Sequence, residues 1–286
     1  MSALELFEAL QNEAREAPSC DSEAAFKSLW RARDFDSLAP LELALQGGAC
    51  SSILPWVFTV GYQATLRNAF PQLPKIGWAA FVATEDQHQP DEHPGTRVST
   101  IDGAMVLEGH KSWVAHSRNL DTLIVTINDE GGDKYKARGI ILAAERPGIT
   151  LSHREQPRFL GKLSQGYAKF SATPIEQQEI FDFESIRQFG RTEAKFVMLA
   201  SVAFMMRQLR ENADFCRGLL GIACALEALI SESETSRQAF AAIDTEFQHY
   251  VAEFEREFDV STIDDYAQDK RLLTMYSARI QRRAKR

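Results

Sequence analysis

The spacing of apolar positions along the chain changes twice. Near the start, Leu4, Leu6, Phe7, Leu10 and Ala14 recur at the three-to-four spacing of an amphipathic helix over 3–17, which Pro18 stops. Ala25, Phe26, Leu29 and Trp30 repeat that spacing, with Asp21 or Ser22 placed to cap the helix they form. Pro40 opens a more apolar segment, LELALQGGACSSILPWVFTVGYQATLRNAF, which predicts two buried helices broken near Gly47-Gly48 and Pro55. Between 77 and 183 the chain turns to short apolar stretches, among them RGIILAA, ITLSHRE, GYAKFSAT and QEIF. Turn residues cut them at Pro94-Gly95, Asp102-Gly103, Glu108-Gly109, Asp129-Glu130-Gly131-Gly132 and Arg146-Pro147-Gly148, which predicts strands with short reversals. No helical segment there is long enough to cross between parallel strands, so the sheet is predicted to be mainly antiparallel, a barrel or sandwich. After Phe183 the helical period returns in four helices, about 193–210, 213–231, 236–258 and 263–285. The first is apolar nearly all round and belongs at the centre of a bundle. The last ends in RIQRRAKR, where positive charge suits a helix C-terminus. The expectation is an α+β chain in three parts: a helical region 1–76, an antiparallel β-barrel domain 77–183 and a four-helix bundle 184–286. No repeat or low-complexity linker separates them, so they are expected to pack as one unit.

Composition narrows the function. Of 286 residues, 44% are hydrophobic and 25% charged, as in ordinary globular proteins. A net charge of −8 argues against nucleic-acid binding, which needs clustered positive charge. Cys20, Cys50, Cys216 and Cys224 form no metal spacing and read as free thiols in a reducing compartment. The acidic start fits neither a signal peptide nor a mitochondrial presequence, and the longest apolar run, 196–206, falls short of the roughly 20 residues that span a bilayer. A cytoplasmic protein without membrane contact is expected.

Two strand ends carry the candidate chemistry. FVATE (81–85) is an apolar strand closing on a hydroxyl and a carboxylate, and KSWVAH (111–116) sets Trp113 in an otherwise small and polar turn. FVATED resembles the strand ending in Thr-Glu-Pro of acyl-CoA dehydrogenases, and EGHKSWVAHSRNLDTLIV resembles their Asn-Gly-x-Lys-x-Trp-Ile-Thr-Asn-Gly stretch. LALQGGACSS is similar to the Gly-Gly segment of their N-terminal helical domain, and RPGITL followed by FLGKL to a pattern in their β-barrel. The resemblance covers roughly 40–210 and implies an abbreviated member, with FAD as cofactor, an acyl-CoA or related substrate, and a homo-oligomer. It assigns Phe81, Val82, Ala83 and Thr84 to the flavin pyrimidine, and Trp113, Val114 and Ala115 to the border of the isoalloxazine ring. The alternative is that Trp113 and Thr84 are merely residues of the barrel and its turns.

The chain also departs from the family pattern. Ala115 stands where a Thr or Ser is usual, QHQPDEHPG replaces Gly-Ser-Asp, and no Arg-x-x-Phe-Gly grips a pyrophosphate around ENADFCRGLLG. The late segment with the usual catalytic glutamate has no counterpart. Some members carry their base at the start of the first C-terminal helix, where Ala194 falls on the position and Glu193 lies beside it. Glu193 is therefore the candidate base, or else an acid favoured in a helix's first turn. EDQHQPDEH gathers carboxylates around His88 and His93, but nothing fixes them as metal ligands, and a solvated loop is expected. His116 is an exposed turn residue or a flavin contact, and the tail from Arg279 is a solvated helix end or a contact to a CoA phosphate. The resulting expectation is an FAD-dependent, acyl-CoA dehydrogenase-like oxidoreductase with weakened or altered catalysis. Its rivals are a non-catalytic scaffold or binding relative and a flavin-dependent monooxygenase.

Overall fold

The computed structural model describes residues 1–286 except 13–17, 87, 88, 90, 128–137, 156, 233–235 and 286, and gives 10–12 by backbone alone. The turn expected at Asp129-Glu130-Gly131-Gly132, the residue His88 and the end of the first expected helix lie outside the described residues.

Four helices precede the strands: α1 (Ala3–Asn12), α2 (Glu23–Ala32), α3 (Pro40–Cys50) and α4 (Leu54–Ala69). Ser22 caps α2 as expected, its hydroxyl accepting the Ala25 N–H at 3.2 Å. The glycines expected to break the third helix lie inside it instead. A Cβ on Gly48 would sit 2.4 Å from the Ala200 carbonyl oxygen, and one on Gly61 of α4 would sit 2.6 Å from the Val197 Cα. These glycines let α3 and α4 press their backbones onto the long helix α5 (Phe183–Gln208).

The strands are β1 (Ala79–Val82), β2 (Arg97–Ile101), β3 (Ala104–Ala115), β4 (Thr122–Ile127), β5 (Arg138–Ala143), β6 (Ile149–His153), β7 (Gln165–Pro174) and β8 (Ile180–Phe181). They form two open four-stranded sheets, β1-β4-β5-β8 and β2-β3-β7-β6; the described residues close no barrel. All pairings are antiparallel except β1 with β4, which run in parallel with Phe81 opposite Ile124. Two reversals expected from sequence lie inside β3. Gly109 is a bulge with φ of 118°, where a side chain would strike the Gly95 carbonyl at 2.4 Å, and the 111–116 segment is the strand's bulged end.

The C-terminal part corrects the expectation in two places. Helix α5 begins at Phe183, not near 193, with the Asp182 carboxylate accepting the Glu184 N–H at 3.1 Å. Its polar first turns, FESIRQFGRT, carry too little apolar periodicity to be recognised. The helices α6 (Ala213–Ser231) and α7 (Arg237–Glu257) match expectation. The fourth helix does not form as one piece: a turn of α8 (Tyr266–Asp269), a 3-10 turn (Lys270–Leu273) and α9 (Ser277–Ala284) replace it. A 3-10 turn and an α-turn share nearly the same apolar spacing over four residues, so pattern alone cannot separate them. One apolar core joins Phe26, Trp56, Trp78, Phe196, Phe204 and Tyr276, and a second fills the space between the sheets around Val82, Val114 and Val125.

Candidate active site

The end of β1 is held from three sides. The Phe81 N–H donates to the Tyr62 hydroxyl of α4 at 2.7 Å. Ser112 of β3 donates its N–H to the Thr84 carbonyl at 2.8 Å and its hydroxyl at 3.2 Å. Lys111, 1% exposed, reaches Glu85 at 2.8 Å and the Thr126 hydroxyl at 3.2 Å. Burial lowers the Lys111 pKa, and the Glu85 carboxylate only partly restores it. The Thr-Glu ending of the first strand and the Lys two residues before Trp113 thus form a staple that fixes one strand end against the other.

Of the seven residues expected at a flavin, four present surface at this strand end and three do not. Phe81 and Trp113 are half-buried, and Ala83 and Thr84 are exposed. Val82 and Val114 fill the core between the sheets, and Ala115 is wholly buried, so these three offer only their backbones. Trp113 lies on β3 rather than in a turn. Its indole N–H donates to Gln165 at 3.3 Å, and its ring meets Tyr62 edge-on at 6.4 Å. Tyr62 also meets Phe189 edge-on at 5.9 Å, and Phe189 packs on Phe81 at 4.4 Å.

Glu193 belongs to this aromatic group. It occupies the third turn of α5, not the first, so the helix-start reading of this acid falls away. Part of the residue still reaches the surface, while the packing around its carboxyl is dense. Burial raises its pKa above the ordinary carboxylate value; the positive charge of Arg279 and contact with Tyr276 pull it down without prevailing. Burial also raises the pKa of Tyr62 and Tyr276, and the nearby Glu193 charge raises both further. The Tyr276 hydroxyl is buried beside Glu193 with no hydrogen bond of ordinary geometry. A carboxyl held this way gives up its proton reluctantly and takes one readily, the behaviour asked of a general base. Sequence reasoning missed Tyr62, Phe189 and Tyr276, which have no motif. It reached Arg279 only as the first residue of a basic tail.

His116 is neither exposed nor part of this aromatic group. It is fully buried at the end of β3 with φ of 58°, its ring 4.7 Å from Trp78, and its Nδ1 pairs with Glu23 of α2 at 2.7 Å. Burial alone would raise the Glu23 pKa, but His116, Ser164 and Asn119 outweigh it and hold it low. In the acidic loop, His93 lies against His110 at 5.1 Å between ring centres. Among the described residues no group of three His, Cys, Asp or Glu could hold a metal, no helix is long and apolar enough to cross a membrane, and the four cysteines form no disulfide.

No family model matches the sequence, and no curated protein matches it. Solved structures do. An FAD-dependent dehydrogenase superposes with a TM-score of 0.70 at 15% identity, covering 99% of this chain and 96% of that one. The prolyl acyl carrier protein oxidase AnaB gives a TM-score of 0.62 at 16% identity over 98% of both chains. A glutaryl-CoA dehydrogenase from Mycobacterium smegmatis, in complex with FADH2, gives 0.54 at 10% identity, covering 98% of this chain and 94% of that one. The chain has the acyl-CoA dehydrogenase fold. The likeness runs nearly end to end, well beyond the 40–210 stretch that the motifs alone suggest, so the acyl-CoA dehydrogenase fold here includes the first helices and the broken C-terminal segment.

Proposed function

We propose that the protein is a flavin-dependent oxidoreductase that oxidises an acyl thioester, with Glu193 as the base that removes the Cα proton. The observation that carries this reading is the position of Glu193: a largely buried carboxyl of raised pKa, joined through Tyr62 and Phe189 to the end of β1 and to Trp113. A flavin, when bound, supplies the acceptor for the hydride that leaves Cβ as the double bond forms. Phe81, Ala83, Thr84 and Trp113 are the residues that would hold its ring system. Their fit is supported by an indole with one edge on Tyr62 and by exposed backbone at 83–84. The Val82, Val114 and Ala115 side chains take no part.

Each group has a distinct task in proton transfer. Tyr62 holds the Phe81 backbone and walls the carboxyl on one side. Tyr276 closes the other side and offers the carboxylate a hydroxyl donor once it ionises. Arg279 supplies the positive charge that keeps the ionised form accessible despite burial. A thioester suits such a base because its carbonyl acidifies Cα, and the neighbours include an acyl carrier protein oxidase and a CoA-ester dehydrogenase. Ala194, not an acid, stands at the position where some family members carry their base, which motivates the further proposal that turnover on common acyl-CoAs is low. The three parts 1–76, 77–183 and 184–286 are taken as working units around this site, and a homodimer or larger assembly is proposed; a mass near that of one chain, 32.1 kDa, by light scattering would refute the assembly.

The test is a titration of FAD into the purified protein, followed by visible spectra. A saturable flavin spectrum, with Trp113 fluorescence quenched, is the expected result. No binding at tens of micromolar FAD would remove the cofactor and leave the scaffold reading in its place.

A further inference from the structure

The C-terminal helix carries a charge arrangement of which the proposed catalysis uses only Arg279. Helix α9 runs antiparallel on α7: the Ser277 hydroxyl donates to Asp244 at 2.7 Å, and the Gln281 amide donates to Asp244 at 2.7 Å and to the Ala241 carbonyl at 2.9 Å. Ile280 is buried beneath. This direction carries the basic run of α9 to the N-terminal end of α7, where Ser236 caps and Arg237 follows. Arg283 lies among Arg279 and Arg237, and partial burial, followed by their like charges, lowers its pKa. Arg279 lies in turn beside Glu193, its guanidinium 5.9 Å from the centre of the Tyr276 ring.

All three arginines are exposed, and among the described residues none forms an ion pair. Arginines elsewhere do: Arg67 pairs with Asp36, Arg146 with Glu179 and Arg256 with Glu253. Among the described residues the nearby acids are otherwise placed, Asp244 under Ser277 and Gln281, Glu232 toward Lys195, and Glu193 beside Tyr62 and Tyr276. In a chain of net charge −8, three exposed guanidinium groups, of which only Arg279 lies near a carboxyl, form a local reversal of sign at the positive end of a 21-residue helix. Like charges held together this way repel unless an anion joins them.

We propose that Arg237, Arg279 and Arg283 form an anion site that takes a phosphate or pyrophosphate group near Glu193. Guanidinium forks match phosphate oxygens two at a time, and several forks suit a multiply charged group better than a single carboxylate. Two kinds of molecule present such a group here: a dinucleotide cofactor, through its pyrophosphate, and a carrier-linked thioester, through the phosphates of its carrier arm. The site requires neither flavin reduction nor a role for Glu193.

Calorimetric titration of inorganic pyrophosphate, FAD and unacylated CoA into wild type, Arg237→Gln and Arg283→Gln separates the cases. Pyrophosphate should bind wild type at low salt, and each substitution should weaken it roughly tenfold, as expected for the loss of one charged hydrogen-bonding partner. Without ligand, both variants should melt no lower than wild type, because repulsion is relieved; were Arg283 serving only the α9 dipole, its variant would lose stability. FAD weakened in both variants assigns the site to the cofactor, and CoA weakened in both assigns it to the substrate. Wild type that fails to bind pyrophosphate, or variants that bind it equally well, would overturn the proposal. So would an effect confined to pyrophosphate, with FAD and CoA unchanged, which would mark an adventitious ion only. If FAD does not bind at all, the pyrophosphate and CoA titrations still decide the question.

Discussion

Glu23 and Glu193 are both glutamates drawn into the interior on helices, and the molecule treats them in opposite ways. Glu23, 6% exposed in the first turn of α2, meets His116 at 2.7 Å and accepts from Asn119 and the Ser164 N–H, each at 3.1 Å. Its pKa is held low and it ties the N-terminal helices to the end of β3. Glu193 sits along α5 beside Tyr62 and Tyr276, where Arg279 and Tyr276 only partly offset its burial and its pKa is raised. Burial of an acid therefore does not mark a working site. A buried acid whose charge is fully answered by hydrogen bonds is a joint between elements, and one whose charge is left wanting is ready to exchange a proton.

The sharpest way to break this comparison is to neutralise each acid in turn. Glu193→Gln should lower flavin-dependent turnover by about 10²- to 10⁴-fold, the usual cost of losing a positioned base. Its melting temperature at pH 7 should stay level or rise. The raised pKa means that ionising Glu193 costs stability as pH climbs through that pKa, and the amide escapes this cost. Glu23→Ala should do the reverse. Breaking one side of a buried pair costs about 3–5 kcal/mol, so thermal melts should show a large fall, while turnover per folded molecule holds. A large stability loss in Glu193→Gln with little in Glu23→Ala would erase the distinction.

Asp269 offers an intermediate case. One oxygen accepts the Leu160 N–H at 2.6 Å, but the other is buried without a partner, and burial pushes its pKa up to about 6. A raised carboxyl pKa leaves its stability contribution intact below the unfolded value and removes it as pH rises through about 6. Asp269→Asn should therefore be more stable than wild type above pH 6, by at most about 3 kcal/mol, since a tenfold change in proton affinity corresponds to roughly 1.4 kcal/mol. The gain should vanish below pH 4; denaturant melts across this range would show no crossover if the unpaired oxygen carries no cost. The smallest effect concerns Trp113. Trp113→Ala should weaken FAD by about 1 kcal/mol, the scale of ring stacking, with little change in the melting temperature of the flavin-free protein. A fall of about 3–5 kcal/mol in stability without FAD would make Trp113 a packing residue alone.

The two regions also differ in how far they can be read from sequence. The end of β1 and the Lys-x-Trp stretch lie in short local motifs, so their pairing follows from residues near one another in the chain. Even there, the fate of each side chain depends on strand register: one position separates exposed Ala83 from buried Val82. His116 reads as exposed because its partner, Glu23, lies 93 residues away. The first turns of α5 are polar, so Glu193 reads as a helix start. Tyr276 and Arg279 reach it only because the C-terminal segment breaks into short turns and folds back, which no spacing announces. Local chemistry is visible in sequence, whereas the burial that tunes it comes from distant segments.

The central claim is that Glu193 removes the substrate proton in a flavin-dependent oxidation. Anaerobic mixing of FAD-loaded protein with acyl thioesters, followed by the bleaching of flavin absorbance, tests it most directly. Wild type should bleach with a rate that rises with pH through an apparent pKa above the ordinary carboxylate range. Glu193→Gln should bind FAD equally well and bleach at least about a hundredfold more slowly. Equal rates in the two proteins would show that another group takes the proton.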